Sequence, residues 1–337
     1  MPPVGETMRA VFFEAHHTMT VRETPIPEPG PGEVRLKVRY CGICGSDLSL
    51  YKTGVLSGQD VILGHEISAA VDVDPGGEWP PGTRVTSYPE GRGCGECVWC
   101  REGKFRYCLN PRQRHGGGFA DYVVVPARTL IPLPDDLADR EAAVAEPLGV
   151  ALRAVELAGA KPGDFAYVSG LGSIGLLSVA ALAAAGCRVM GADPREDRRA
   201  LGLEIGCEAV FDPTAEDPLA TTAAFDPHGP RVAFECAGVP DSLQQVIDAC
   251  GFEGVVGILG IPMAPVHLLR MTLKEQRAFS IQGPSMESMR RALDLLGTRP
   301  ETAKVVTATV PLERTSEAFD GLLAGDGNAK VLIEAGV

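Results

Sequence analysis

The chain has 337 residues, enough for two domains with full cores. Hydrophobic residues make up 45% and charged residues 22%, the balance of a soluble globular protein. The net charge of −13, with no visible basic patch, makes nucleic acid and anionic membranes poor partners. Residues 1–6 carry no basic, apolar signal-peptide pattern, and the longest apolar run, 174–185, is too short to span a bilayer. Ten cysteines without a secretory signal suggest a reducing compartment, so the expected location is the cytoplasm.

The first 130 residues read as mostly β. Residues 8–13 form a β-rich run, Pro25, Pro27, Pro29 and Pro31 an extended linker, and 33–38 alternates polar with apolar as a half-buried strand does. Further strands are predicted over 61–73, 83–88 and 119–125, the last following the glycines at 116–118. Near Asp139 the character changes, and 140–158, rich in Ala and Leu, reads as helix. Beyond it, strands at 165–169, 188–192, 209–211, 231–235, 255–259 and 278–282 are interleaved with helices at 173–185, 195–205 and 240–250. Such alternation predicts a parallel, doubly wound sheet. Residues 213–230 read as a polar, proline-containing loop. A helix (286–296), a strand (305–310), a helix (315–324) and a strand (330–333) close the chain and are expected to return to the first domain.

Three motifs carry chemistry. Cys94, Cys97, Cys100 and Cys108 are separated by two, two and seven residues, the spacing of a tetrahedral four-thiolate zinc. Gly93, Gly95 and Gly103 supply the tight turns such a knuckle needs. A closed site of this kind has no open position, so it is structural. The second motif is Cys41-Gly42-Ile43-Cys44-Gly45-Ser46-Asp47 with the distant Gly64-His65-Glu66. Cysteine, histidine and carboxylate together suit a catalytic zinc with an open position. The third is Gly170-Leu171-Gly172-Ser173-Ile174-Gly175, after an apolar strand and opening a helix, with Asp193 18 residues past Gly175. This is the dinucleotide arrangement: the glycines let backbone N–H groups approach a pyrophosphate, and an acidic residue takes the ribose hydroxyls. Asp193 favours NAD over NADP, although Arg195, Arg198 or Arg199 could meet a 2′-phosphate.

In order and spacing, Cys44-Gly45-Ser46-Asp47, Gly64-His65-Glu66, the four-cysteine knuckle, Glu146-Pro147-Leu148 and the glycine turn at 170–175 resemble the zinc-dependent medium-chain dehydrogenases. The resemblance covers nearly the whole chain. It implies an α/β architecture: a GroES-like β-rich catalytic domain from 1–149 and 286–337, and a Rossmann dinucleotide-binding domain from 150–285. It implies two Zn²⁺ per chain, a nicotinamide cofactor, a small alcohol or ketone substrate, and a homodimer or homotetramer. Cys44 and His65 match catalytic zinc ligands, Glu66 the carboxylate beside the metal, and Glu146 the remaining ligand position; which glutamate ligates is open. Cys41 reads as a packed neighbour. Ser46 matches the hydroxyl that takes the substrate proton, and Ser49 stands where many relatives have the histidine that ends the proton relay. Ile174 would press on the nicotinamide, Arg198 would meet the adenosine ribose, and Lys330 resembles a cation at the pyrophosphate or a solvated lysine. The glutamate-bearing shell tilts the substrate toward polyols or cyclic secondary alcohols. Leu48, Tyr51, Trp99, Phe119 and Met286 are pocket-lining or core candidates. The alternative is a nucleotide-binding regulatory or structural protein that keeps the fold without the activity.

Overall fold

In the computed structural model the described residues are 6–58, 60–89, 93–102, 104–110 and 117–336. Gly103, Gly116 and the first five residues lie outside them. Strand β1 (Thr7–Ala15) turns at His17, in the left-handed region at φ 53°, into the antiparallel β2 (Thr18–Pro25). Sequence reading missed β2. Then comes β3 (Glu33–Gly42), where Val34, Leu36 and Val38 are fully buried on one face while Glu33, Arg35 and Lys37 are only partly so. Burial of each such aliphatic side chain stabilises by about 1.5–3 kcal/mol. The strand ends in the buried pair Cys41-Gly42, and a single turn leads into α1 (Gly45–Thr53). Next are β4 (Val61–Ile62), β5 (Glu66–Val73), β6 (Arg84–Ser87), the short α2 (Val98–Arg101), β7 (Tyr122–Pro126) and β8 (Leu130–Pro132). The predicted helix over 140–158 is two pieces, α3 (Asp139–Ala142) and α4 (Ala145–Ala158).

The chain then builds β9 (Phe165–Ser169), α5 (Ser173–Ala184), β10 (Arg188–Ala192), α6 (Glu196–Ile205), β11 (Ala209–Phe211), α7 (Pro218–Phe225), β12 (Val232–Glu235), α8 (Ser242–Ala249), β13 (Val255–Ile258), α9 (Leu269–Leu273), β14 (Arg277–Ser280) and α10 (Met286–Thr298). Helix α7 lies inside the stretch read as loop. Its prolines misled: Asp217 caps the helix by accepting from Ala220 N at 3.1 Å, and Pro218 opens it, where a missing N–H costs nothing. The remaining elements are β15 (Val306–Pro311), α11 (Thr315–Ala324) and β16 (Lys330–Glu334).

Two units result, 1–146 with 306–337, and 147–305. In the first, strands order β15-β16-β3-β5-β6-β8 with β7 also on β3, beside a small sheet β2-β1-β4. The tail from β15 onward belongs to the first unit. Helix α10 stays with the second unit, where a Cβ on Gly149 of α4 would stand 3.1 Å from both Met289 and Pro284. The second unit is a wholly parallel sheet in the order β11-β10-β9-β12-β13-β14. The direction of strand addition reverses between β9 and β12, and ligands of such sheets bind beyond the strand ends at that switch.

Candidate active site

The structural knuckle forms as expected. The sulfurs of Cys94, Cys97, Cys100 and Cys108 all lie within 4.8 Å of one another. Backbone N–H groups of Cys94 and Asn110 donate to the Cys108 sulfur at 3.2 and 3.3 Å, and Cys97 N donates to Cys94 at 3.4 Å. Backbone donors draw the Cys97 thiol down to about 6 and lower Cys108, whereas burial holds Cys100 up. Four thiolates this close repel one another, so only a cation lets all of them ionise. The donor set fits zinc.

The second cluster is Cys44, His65 and Glu66, with ligand atoms also within 4.8 Å of one another. Cys44 caps α1, and His65 and Glu66 sit at the entry to β5, whose Glu66 pairs in register with Gly42 of β3. Glu146 falls outside this group, yet it is buried and its charge acts on both His65 and Lys330. Cys41 is fully buried, its thiol pushed well up by desolvation, and it packs against Gly64 and Gly118; it is no ligand of the cluster. Burial opposes a charged His65, but Asp47, then Cys44 and Glu146, outweigh it and raise its pKa well above the ordinary value. The site is thus a well for positive charge, and its residues fit a divalent zinc.

The Oδ2 of Asp47 accepts from Cys44 N at 3.0 Å, and its Oδ1 lies 3.6 Å from His65 Nδ1. A carboxylate behind a ligating imidazole fixes ring and tautomer. Lys330 is corrected. It is not solvated: only 2% exposed, it donates to both oxygens of Glu66 at 2.8 and 2.7 Å and to Ile43 O at 2.8 Å. Of the two readings open for Tyr51 and Phe119, the structure gives core: both are fully buried, and Tyr51 Oη donates to Asp320 at 3.0 Å. Leu48 packs against that core, and Trp99 lies against Tyr107 in the knuckle. Met286 begins α10, half-buried. Ser46 and Ser49 are exposed on α1, three residues apart and therefore on one face.

In the second unit the glycine turn is shaped for a close ligand. Gly170 has φ 89°, and a Cβ there would stand 2.6 Å from the Ala237 backbone. A Cβ on Gly175 would stand 1.8 Å from Gly170 O, whereas one on Gly172 meets nothing within 4 Å. Gly172 caps α5, and Ser173 Oγ at its first turn is buried with no hydrogen-bond partner among the described residues. An open N-terminus with an orphaned hydroxyl suits a pyrophosphate. Ile174 follows, half-buried. Asp193, at the end of β10, accepts from Leu171 N at 2.8 Å and Arg195 N at 3.0 Å. The Arg198 N–H donates to Asp197 at 2.9 Å.

Residues 30–135 match the family described as Alcohol dehydrogenase GroES-like domain, and residues 173–298 match Zinc-binding dehydrogenase. The chain is 34% identical to an L-threonine 3-dehydrogenase of Pyrococcus horikoshii over 274 residues, 77% of this chain and 78% of the relative. It is 31% identical to the (R,R)-butanediol dehydrogenase of Bacillus subtilis over 97% of this chain and 99% of the relative. A Sinorhizobium meliloti structure bound to NADP superposes with a TM-score of 0.89 at 32% identity, covering 98% of this chain and 99% of that one. The chain therefore belongs to the zinc-dependent medium-chain dehydrogenase/reductase family, as a zinc- and NAD(P)-dependent oxidoreductase acting on an alcohol/ketone pair.

Proposed function

We propose that the enzyme interconverts a secondary alcohol, a polyol or cyclic alcohol, with its ketone, using NAD. The observation that carries this is the donor set: Cys44 and His65 with two buried glutamates, Glu66 and Glu146, beside them. The names of two relatives, a threonine 3-dehydrogenase and a butanediol dehydrogenase, point the same way, since each oxidises a secondary carbinol next to a second polar group.

When bound, zinc supplies Lewis acidity and the nicotinamide accepts hydride. Cys44, His65 and Glu146 would hold the zinc, with Asp47 orienting His65. Ser46 would accept the hydroxyl proton and Ser49, on the same exposed face of α1, would hand it toward solvent. A serine relays a proton but does not store one near neutral pH as histidine does, so water completes this route. Gly170, Gly172, Ser173 and Gly175 would cradle the pyrophosphate, Ile174 would press on the nicotinamide, and Arg198 would lie at the adenosine ribose.

Asp193 would accept the ribose hydroxyls through lone pairs its two backbone donors leave over, and would repel a 2′-phosphate. Arg195 is engaged with Asp197 at 2.8 Å and Arg199 with the Asp193 and Pro194 carbonyls at 2.8 and 2.9 Å. Both engagements support NAD, against the NADP of the Sinorhizobium structure. Homo-oligomers are supported by β14, a sheet-edge strand beside Ile261, Met263, Leu268, Leu269 and Leu273, which are 59–85% exposed. Sedimentation of the purified chain tests this. The ten unpaired cysteines support a cytoplasmic location.

The deciding experiment offers zinc-loaded enzyme a panel of diols, inositols, sugar alcohols and simple secondary alcohols with NAD or NADP. Cofactor reduction with a polyol and NAD is the expected result. Dinucleotide binding without turnover of any alcohol would instead favour the regulatory reading.

A further inference from the structure

A dinucleotide divides into its two halves at the switch point of the second unit. The glycine turn follows β9, and Asp193, on the adenosine side, ends the neighbouring β10; the half beyond the pyrophosphate therefore runs over the ends of β12 and β13. Glu235 is the last residue of β12 and is fully buried. Its Oε1 accepts from Gly238 N–H at 2.7 Å and from Ser242 Oγ at 2.7 Å, whereas Oε2 has no hydrogen-bond partner among the described residues. Its backbone carbonyl accepts from Leu259 N and Gly260 N, both at 2.9 Å. One residue thus holds the turn after β12 with its side chain and the turn after β13 with its main chain.

The carboxylate is also wedged between those turns. A Cβ on Gly260 would stand 2.5 Å from Glu235 Oε2 and 2.8 Å from Gly238 N, so only bare backbone fits there. For the fold alone this is a costly arrangement, because a buried carboxylate with one oxygen left unpaired is less stable than an apolar side chain of the same volume. At the carboxyl end of the strands, where a ligand lies on the turns, the same group has a use: it sets the spacing and direction of their backbone. We propose that Glu235 is a positioning residue for the half of the dinucleotide beyond the pyrophosphate, its carboxylate fixing the turns after β12 and β13 on which that half rests. The inference rests on the reading of the glycine turn and Asp193 as the pyrophosphate and adenosine sites, and on no metal ligand and no particular alcohol.

The test measures binding of NADH and of ADP by calorimetry to the full-length, zinc-loaded parent and to Glu235→Leu, Glu235→Gln and Ser242→Ala, with a thermal melt of each. ADP carries the adenosine and the pyrophosphate and lacks the other half. Leucine fills the space of Glu235 and removes the acceptor, so Glu235→Leu is expected to keep or raise the melting temperature. Its affinity for NADH is expected to fall by at least about tenfold, the scale of one hydrogen bond to a charged group, with ADP binding unchanged. Glu235→Gln keeps an acceptor for the Gly238 N–H and should recover most of the NADH affinity. If Glu235→Leu does not fold, Ser242→Ala takes one donor from Oε1, and a loss of about threefold confined to NADH is expected. Equal loss of ADP and NADH in step with a lowered melting temperature overturns the proposal, for it marks a residue that serves the fold alone. So does an unchanged NADH affinity in folded Glu235→Leu, or a Glu235→Gln as weak as Glu235→Leu. The parent's own affinity for ADP reports the adenosine and pyrophosphate sites, so a fault in that reading shows there and not in the ratio of the two ligands among the variants.

Discussion

Asp47 Oδ1 stands 3.6 Å from His65 Nδ1 while its Oδ2 holds the Cys44 N–H at 3.0 Å, so one buried carboxylate addresses two zinc ligands. Replacing it by Asn keeps an acceptor for the Cys44 N–H and removes the charge behind the imidazole. Asp47→Asn is expected to weaken zinc at the Cys44–His65 site by about 10–100-fold and to leave the four-cysteine site full. Metal analysis after graded dialysis against a chelator checks this; parallel loss from both sites would contradict it.

Zinc uptake at the same site should be pH-dependent in a particular direction. Burial disfavours the His65 cation, but Asp47, Cys44 and Glu146 overcome it, and the pKa of the metal-free chain lies well above 6.5. The protonated form therefore stabilises the metal-free fold fully below about pH 6.5, and that contribution is lost as pH rises through the raised value. Zinc must displace this proton, so its affinity should keep climbing above the pH at which an ordinary histidine is already neutral. Calorimetry in buffers of different ionisation heats should find a proton released from His65 on binding at pH 7. A flat affinity between pH 7 and 8 would exclude it.

The knuckle cysteines should be unequal once stripped of metal. With its thiol at about 6, Cys97 is mostly thiolate at neutral pH, whereas Cys100 is held up by burial. Alkylation of the metal-free enzyme at pH 7 is expected to label Cys97 ahead of Cys100, as peptide mass spectrometry would show. Cys41, fully buried, should remain unlabelled in the folded chain.

The glycine turn offers a paired comparison. Gly175→Ala places a methyl 1.8 Å from Gly170 O, so the turn must shift; Gly172→Ala places one in open space. Gly175→Ala is expected to destabilise the fold by about 1–3 kcal/mol, as overpacking does. Gly172→Ala should keep its melting temperature and lose dinucleotide affinity, because the open space is where the pyrophosphate would lie. Thermal melts with and without NAD separate the two effects.

What was legible in the sequence follows the distance over which each feature is encoded. The knuckle ligands span 15 residues and the glycine turn six, and both show as spacing. The strands of the parallel sheet show as apolar runs, and five of the six were placed to within one residue at each end. Helix α7 was hidden because proline was read as a breaker when Pro218 is a helix start. Tyr51 and Phe119 sat near the ligand motifs in the chain, but a side chain's direction depends on what covers it, and both face the core. The Lys330–Glu66 pair joins residues 264 positions apart and leaves no local trace. Asp47 lay in plain view, yet its role depends on where His65 arrives.

That long separation also bears on how the enzyme is made. Cys44, His65, Glu66 and Glu146 all precede the dinucleotide-binding unit, whereas Lys330 opens the last strand, after that unit is complete. A chain emerging from the ribosome presents its zinc ligands and an uncompensated Glu66 long before their counter-charge has been synthesised. Strand β16, inserted between β3 and β15, brings Lys330 onto Glu66 only once the last strand has been made. The Glu66–Lys330 pair is thus among the last contacts of the first unit that the chain can close.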